Sequence, residues 1–201
     1  MAPPPPRPTL VLLAGPNGAG KSTLYETRIA PSLSVPFINA DMIQRDELKA
    51  TNMEAAYGAA EIAQKRREDH LEARQSFATE TVFSHPSKLD LIHAARAKGF
   101  RVMLFHISVE RAELSVARVE ERVKEGGHPV PEDKIIARFD RGGPLIRQAV
   151  LLSDVGHVFD NSRLNQAPVR IMTFKAGRIS FVELELPPWA HEIYGEDLHI
   201  G

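Results

Sequence analysis

Apolar residues in this chain fall into short unbroken runs separated by amphipathic stretches. Residues 10–14 (LVLLA) are apolar without a break, the pattern of a strand buried on both faces of a parallel sheet. Residues 100–107 read as a further buried strand and 155–159 as the last parallel strand, residues 76–83 alternate, and residues 36–41 make a short strand that ends on an acid. Helical patterns lie between them. One spans residues 21–29 and stops near Pro31. A second opens at a capping box, Thr51-Asn52-Met53-Glu54, and runs to about Arg74 with Ala55, Ala56, Ala59, Ile62 and Ala63 on one face. A third covers residues 87–98 between Pro86 and Gly99. A fourth starts with Ser108 as its cap and ends near Glu125 before Gly126-Gly127. A fifth begins at Pro131, and a sixth covers residues 145–152. Strands alternating with helices predict a doubly wound α/β fold with five parallel strands. Residues 169–174 and 178–185 alternate around Lys175-Ala176-Gly177 and predict a C-terminal β-hairpin. Pro187-Pro188-Trp189 then leads into a polar tail, with Trp189 as a packing anchor.

Composition narrows the class. With 201 residues, 43% hydrophobic and 25% charged, the chain can bury a full core and is not a disordered sequence. A formal net charge of −1 supplies no global basic field, so no nucleic-acid partner is expected. Cysteine is absent, which excludes disulfides and thiolate metal sites and suits a reducing cytoplasm, the expected location. No apolar run reaches the roughly 18 residues of a membrane span. The N-terminus lacks a secretory pattern; residues 1–8, with five prolines, read as a stiff lead-in. The expected division is a Pro-rich extension over residues 1–9, a core over 10–165 with a lid at about 108–142, and a hairpin and tail over 166–201 in the same domain.

The candidate chemistry starts where the first strand ends. Gly15-Pro16-Asn17-Gly18-Ala19-Gly20-Lys21-Ser22, followed by Thr23, fits G-x-x-x-x-G-K-[ST] between a strand and a helix. Glycines let the backbone turn its N–H groups toward phosphate oxygens, Lys21 adds a cation, and the Ser22 hydroxyl suits Mg²⁺. A nucleoside triphosphate is the expected ligand. Asp41 stands at a strand's carboxyl end, where open α/β sheets bind ligands, or else caps the next helix. Glu80 and Thr81 end another strand; the carboxylate can hold Mg²⁺-bound water or substrate hydroxyls, or be an exposed strand acid. His106 reads as a hydrogen-bonded core residue. Lys65 to His70 reads as a solvated face. Arg111, Ser115, Arg118 and Arg122 share one helical face, and pattern alone pairs the arginines with Glu121 and Glu125 at the surface. Lys134, Arg138 and Arg141 share another face. Asp140-Arg141-Gly142-Gly143 matches the D-x-x-G of GTPases but follows a helix, and the N-K-x-D guanine signature is absent from the sequence. Asp160-Asn161-Ser162 follows the last parallel strand, where an adenine would rest against Asn161.

GPNGAGKST, the strand ending INAD, FATETVFS, ARVEERVKEGGHPVP with Arg138 beyond it, and FDNS together resemble the zeta-toxin family of P-loop kinases, over roughly residues 10–162. The GGHPVP form resembles the Gram-negative branch. The resemblance implies an enzyme that phosphorylates UDP-N-acetylglucosamine on its sugar with ATP and Mg²⁺, in some members as a toxin with a small antitoxin partner. It implies ATP on residues 15–23, Mg²⁺ on Ser22, and Asp41 as general base. Glu80, Thr81 and His128 would contact the substrate. Arg118 would contact the phosphates together with Arg122 or Arg138. The resemblance thus moves the arginines from the surface to the phosphates, where an arginine finger contributes about 10³–10⁵ in rate and lid closure can deliver it. The rival readings are a kinase of another small hydroxyl acceptor such as a free sugar or polyol, an ATP-dependent binding switch, and an RNA-end kinase, which the near-neutral charge disfavours.

Overall fold

The computed structural model describes residues 6–50, 52–125, 127 and 129–199. Seven strands form one sheet in the order β2-β3-β1-β4-β5-β6-β7. They are β1 (Thr9–Ala14), β2 (Phe37–Ile38), β3 (Phe77–Thr81), β4 (Arg101–Ser108), β5 (Val155–Asp160), β6 (Val169–Lys175) and β7 (Arg178–Val182). The first five pair in parallel, as the alternation of strands and helices predicts. The hairpin β6–β7 extends the same sheet, with β6 paired antiparallel to β5. Its two-residue turn has positive φ at Ala176 (48°) and Gly177 (76°), the twist-matched type I′ geometry.

The two-residue period of β1 divides the core. Leu10, Leu12 and Ala14 face α3 (Met53–Glu72), α4 (Leu89–Ala97) and α6 (Glu132–Leu152), packing with Ala63, Ile92 and Ile146. Val11 and Leu13 face the other way, onto Leu24 of α1 (Lys21–Leu24) and onto Tyr25 and Ile29 in the wider π turns that continue it. The short α2 (Ala40–Met42) follows β2, and α5 (Ala112–Lys124) packs on α6. No helix of the described residues is long and apolar enough to cross a membrane.

Four local expectations are corrected. Two helices with a break at Gly142-Gly143 are in fact one, α6, which runs through Gly142, Gly143 and Pro144. Proline inside a helix costs about 3 kcal/mol. Burial of Ile135, Ile146, Ala149 and Val150 along this helix outweighs that local cost. Asp140 to Gly143 therefore lie inside this helix and do not follow one. The polar tail contains α7 (Pro188–Tyr194), which buries Trp189, Ala190 and Tyr194; seven residues are too few to display a helical period. Ser108 does not cap α5: it is buried at the end of β4, and α5 starts four residues later, after Arg111. Asn52 caps α3 by accepting from the Ala55 N–H at 2.8 Å, whereas Thr51 lies outside the described residues.

Candidate functional site

After β1 the chain moves toward β3, and after β4 it moves toward β5, so a crevice opens between their carboxyl ends. The loop of residues 15–20 fills it. A Cβ on Gly15 would stand 2.0 Å from the Ile107 carbonyl oxygen, so only glycine lets β1 turn there against β4. Its N–H donates to the Thr81 carbonyl at 3.3 Å. Gly20, at φ +91°, begins α1, and a Cβ on it would meet Asn161 Nδ2 at 2.5 Å. Asn161 closes the loop from behind. Its side chain donates to the Ala19 carbonyl at 2.8 Å, and its N–H donates to the Ser108 carbonyl at 2.8 Å.

Lys21 is only 8% exposed. Its ammonium donates to the Gly15 and Pro16 carbonyls at 3.1 and 3.0 Å. Burial pushes its pKa down; the charges of Glu80 and Asp41 oppose that shift, and those of Arg122 and Arg138 add to it. Ser22 Oγ donates to Glu80 Oε2 at 2.8 Å. Asp41 sits in the first turn of α2 and does not cap it. Asn39 is the cap, accepting from the N–H groups of Asp41 and Met42, which leaves the Asp41 carboxylate to border the cleft. Arg118 and Arg122 reach the same cleft from α5, whose Ser115 and Arg118 press against Gly18. Burial lowers the pKa of Arg118 and the charge of Asp160 opposes this; its Nη1 is buried with no hydrogen-bond partner among the described residues. The cleft measures about 670 Å³ and also takes in Asn17, Gly18, Thr23 and Asn161.

Two of the sequence candidates lie elsewhere. Arg138 stands on the α6 side of the loop, Nη1 3.4 Å from Asn17 Oδ1, against Pro16 in a different pocket. Thr81 supports the loop through its carbonyl and accepts from the Phe83 N–H at 3.2 Å; it borders a second cleft, which also reaches Glu80. His128 lies outside the described residues. His106 is the core residue expected: Nδ1 meets the Tyr194 hydroxyl at 2.7 Å, and burial drives its pKa down to about 3.

Sequence reasoning missed the role of Asp160. Its Oδ1 accepts from Trp189 Nε1 at 2.9 Å and from the Ser162 hydroxyl, while its charge bears on Arg118. Only its place at a strand end could have pointed to it.

The donor set fits a phosphate chain and a hard cation. The loop's glycines leave space that a Cβ would fill, and the orphan Arg118 nitrogen needs an acceptor. Ser22 Oγ and Glu80 Oε2 are separated by about one edge of an octahedron built on the ~2.0–2.1 Å bonds of Mg²⁺. Among the described residues no cluster of three acidic or imidazole side chains could hold a metal alone, so such a cation would take its remaining ligands from phosphate and water.

Known proteins share this architecture. A chain in the crystal structure of the AvrRxo1-ORF1:-ORF2 complex aligns with 95% of this chain at a TM-score of 0.69 and 19% identity. This chain spans only 63% of that chain's length. A chain from the PezAT toxin–antitoxin system of Streptococcus pneumoniae aligns over 81% of this chain and 70% of its own, at a TM-score of 0.61 and 17% identity. At such identities the likeness is one of fold alone. An uncharacterized protein of Haemophilus influenzae is 28% identical over 131 residues, covering 64% of this chain and 91% of the relative. The family profile described as Zeta toxin matches residues 1–165. The chain belongs to the Zeta toxin family.

Proposed function

We propose that this chain is a kinase that transfers the terminal phosphoryl group of ATP to a sugar hydroxyl of UDP-N-acetylglucosamine or a related UDP-sugar. The observation that carries this reading is convergence. Lys21, the Ser22–Glu80 pair, Asp41, Arg118 and Arg122 come from β3, α1, α2 and α5 and border one cleft. ATP and Mg²⁺, when bound, supply the phosphoryl group and shield its charge. A solved AvrRxo1 complex is described with ATP, which supports the choice of donor.

Residues 15–23 hold the phosphates through loop N–H groups, and Ser22 with Glu80 offers the oxygens for Mg²⁺. Asp41 accepts the proton of the acceptor hydroxyl as its oxygen bonds to the γ-phosphorus and the bond to the β-phosphate oxygen breaks, leaving ADP. Lys21, Arg118 and Arg122 offset the charge that builds on the transferring group. The PezAT neighbour comes from a toxin–antitoxin system, which supports a small antitoxin protein as partner.

The test is mass spectrometry of an acceptor panel incubated with protein, ATP and Mg²⁺. A gain of one phosphoryl mass on UDP-N-acetylglucosamine is expected. Transfer only to free sugars or polyols would overturn the acceptor, and ATP-dependent protein capture without any phosphorylated small molecule would overturn the kinase.

A further inference from the structure

The last helix meets the strand end beside the phosphate cleft through one carboxylate. α7 lies beyond residues 1–165, the part of the chain that the family profile matches. It is firmly seated. Trp189, Ala190 and Tyr194 are buried, and Arg147 of α6 holds the turn after α7 through Asp197 at 2.7 and 3.0 Å and Glu196 at 2.9 Å. The Trp189 and His106 rings meet edge to face, with centroids 5.4 Å apart. From this seat Trp189 Nε1 donates to Asp160 Oδ1 at 2.9 Å, and the Ser162 hydroxyl donates to the same oxygen. No described residue donates a hydrogen bond to Asp160 Oδ2.

Asp160 ends β5, and Asn161, next in the chain, borders the cleft and bonds the Ala19 carbonyl. Arg118 approaches the same loop from α5: a Cβ on Gly18 would stand 3.3 Å from the Arg118 Cβ. Its Nη1 is buried without a hydrogen-bond partner among the described residues, and the charge of Asp160 opposes the lowering of its pKa by burial. A guanidinium partly withdrawn from water needs a counter-charge and a direction. Its planar fork carries donors on more than one edge, so one edge can face a carboxylate while another faces phosphate.

We propose that Asp160 is a positioning residue that orients Arg118 toward the transferring phosphoryl group, and that Trp189 and Ser162 fix Asp160 for that task. The indole and the hydroxyl occupy Oδ1, so Oδ2 is the oxygen left for the guanidinium. α7 then helps to aim Arg118 without touching a phosphate itself. This rests on the kinase reading above for what Arg118 does.

Trp189 is the single tryptophan of the chain, so its emission reports on this contact without a label. Saturating the wild-type protein with the non-hydrolysable ATP analogue AMP-PNP and Mg²⁺ should change that emission, because Arg118 turning to the phosphates alters the charge around Asp160. The change should be lost in Arg118→Gln at nucleotide concentrations that calorimetry shows to be saturating. In parallel, kcat and KM are measured for transfer to UDP-N-acetylglucosamine. Asp160→Asn keeps an oxygen for Trp189 and Ser162 but removes the charge. It should lower kcat about tenfold or more, the scale of a lost charge-assisted contact, and change the KM for ATP much less. Trp189→Phe and Ser162→Ala should each lower kcat by a smaller factor. In an Arg118→Gln background Asp160→Asn should lower kcat no further, since its effect passes through that arginine.

An equal drop in both backgrounds overturns the proposal, as does Trp189 emission indifferent to bound AMP-PNP and Mg²⁺. A lowered melting temperature with unchanged kcat in Asp160→Asn and Trp189→Phe would make the contact purely structural and overturn it too. Should no acceptor be phosphorylated while the emission change appears in wild type and vanishes in Arg118→Gln, the proposed function falls and the coupling of Trp189 to Arg118 stands. Should Asp160→Asn phosphorylate UDP-N-acetylglucosamine at the wild-type kcat, the proposed function stands and this inference falls.

Discussion

Ser22 Oγ donates to Glu80 Oε2 across 2.8 Å, tying the first turn of α1 to the end of β3. Two oxygens of this kind at this spacing suit adjacent positions around Mg²⁺. Glu80→Gln keeps the shape and an acceptor for Ser22 but removes the charge. The Mg²⁺ concentration giving half-maximal rate should rise about 10–100-fold, the range seen when a metal's supporting contacts are lost. A Mg²⁺ titration of initial rates decides it. An unchanged Mg²⁺ dependence with a raised acceptor KM would instead assign Glu80 wholly to the acceptor.

Gly20 and Asn161 make a second, separable prediction. Gly20→Ala brings a Cβ to 2.5 Å from Asn161 Nδ2 at a backbone φ of +91°. Nucleotide affinity should fall sharply by calorimetry. Asn161→Ala alone removes one hydrogen bond to the loop and should cost about 1 kcal/mol of stability. Combining the two relieves the clash but leaves the left-handed backbone strain, so affinity should not return to the wild-type value. Full rescue would show that crowding alone excludes a side chain there.

The buried His106–Tyr194 pair sets a pH dependence. Burial holds the His106 imidazole neutral, with its pKa lowered to about 3, against about 6.5 in an unfolded chain. Between those values the unfolded state binds a proton that the folded state refuses, so stability falls as pH drops through that window. The slope approaches about 1.4 kcal/mol per pH unit well below the unfolded pKa. Urea unfolding at a series of pH values should show His106→Gln less acid-sensitive than wild type. Parallel curves would place the acid sensitivity in other groups.

Much of this architecture is legible in sequence. The run at 10–14 reads as a doubly buried strand, and the glycines and Lys21 after it have few other uses in a strand–loop–helix setting. Longer-range facts escaped. Nothing local to Pro144 announces that burial along α6 will override it, and α7 is too short for a period. Helical spacing puts Arg118 and Arg122 on one face of α5, but only the packing of Ser115 against Gly18 turns that face to the loop. Arg67 looked like any member of a mixed-charge run. Its distinction from Arg66 is a rotation of about 100° around α3, which aims one guanidinium at Glu47 and leaves the other in a cleft.

The central claim is that Asp41 primes an acceptor hydroxyl while the neighbouring loop holds the phosphates. Single-turnover transfer of labelled phosphate from ATP to UDP-N-acetylglucosamine, comparing wild type with Asp41→Asn, tests it most directly. The expected result is a rate lowered by ~10²–10⁴ with ATP affinity intact. An Asp41→Asn protein that binds ATP and transfers phosphate at the wild-type rate would contradict the account.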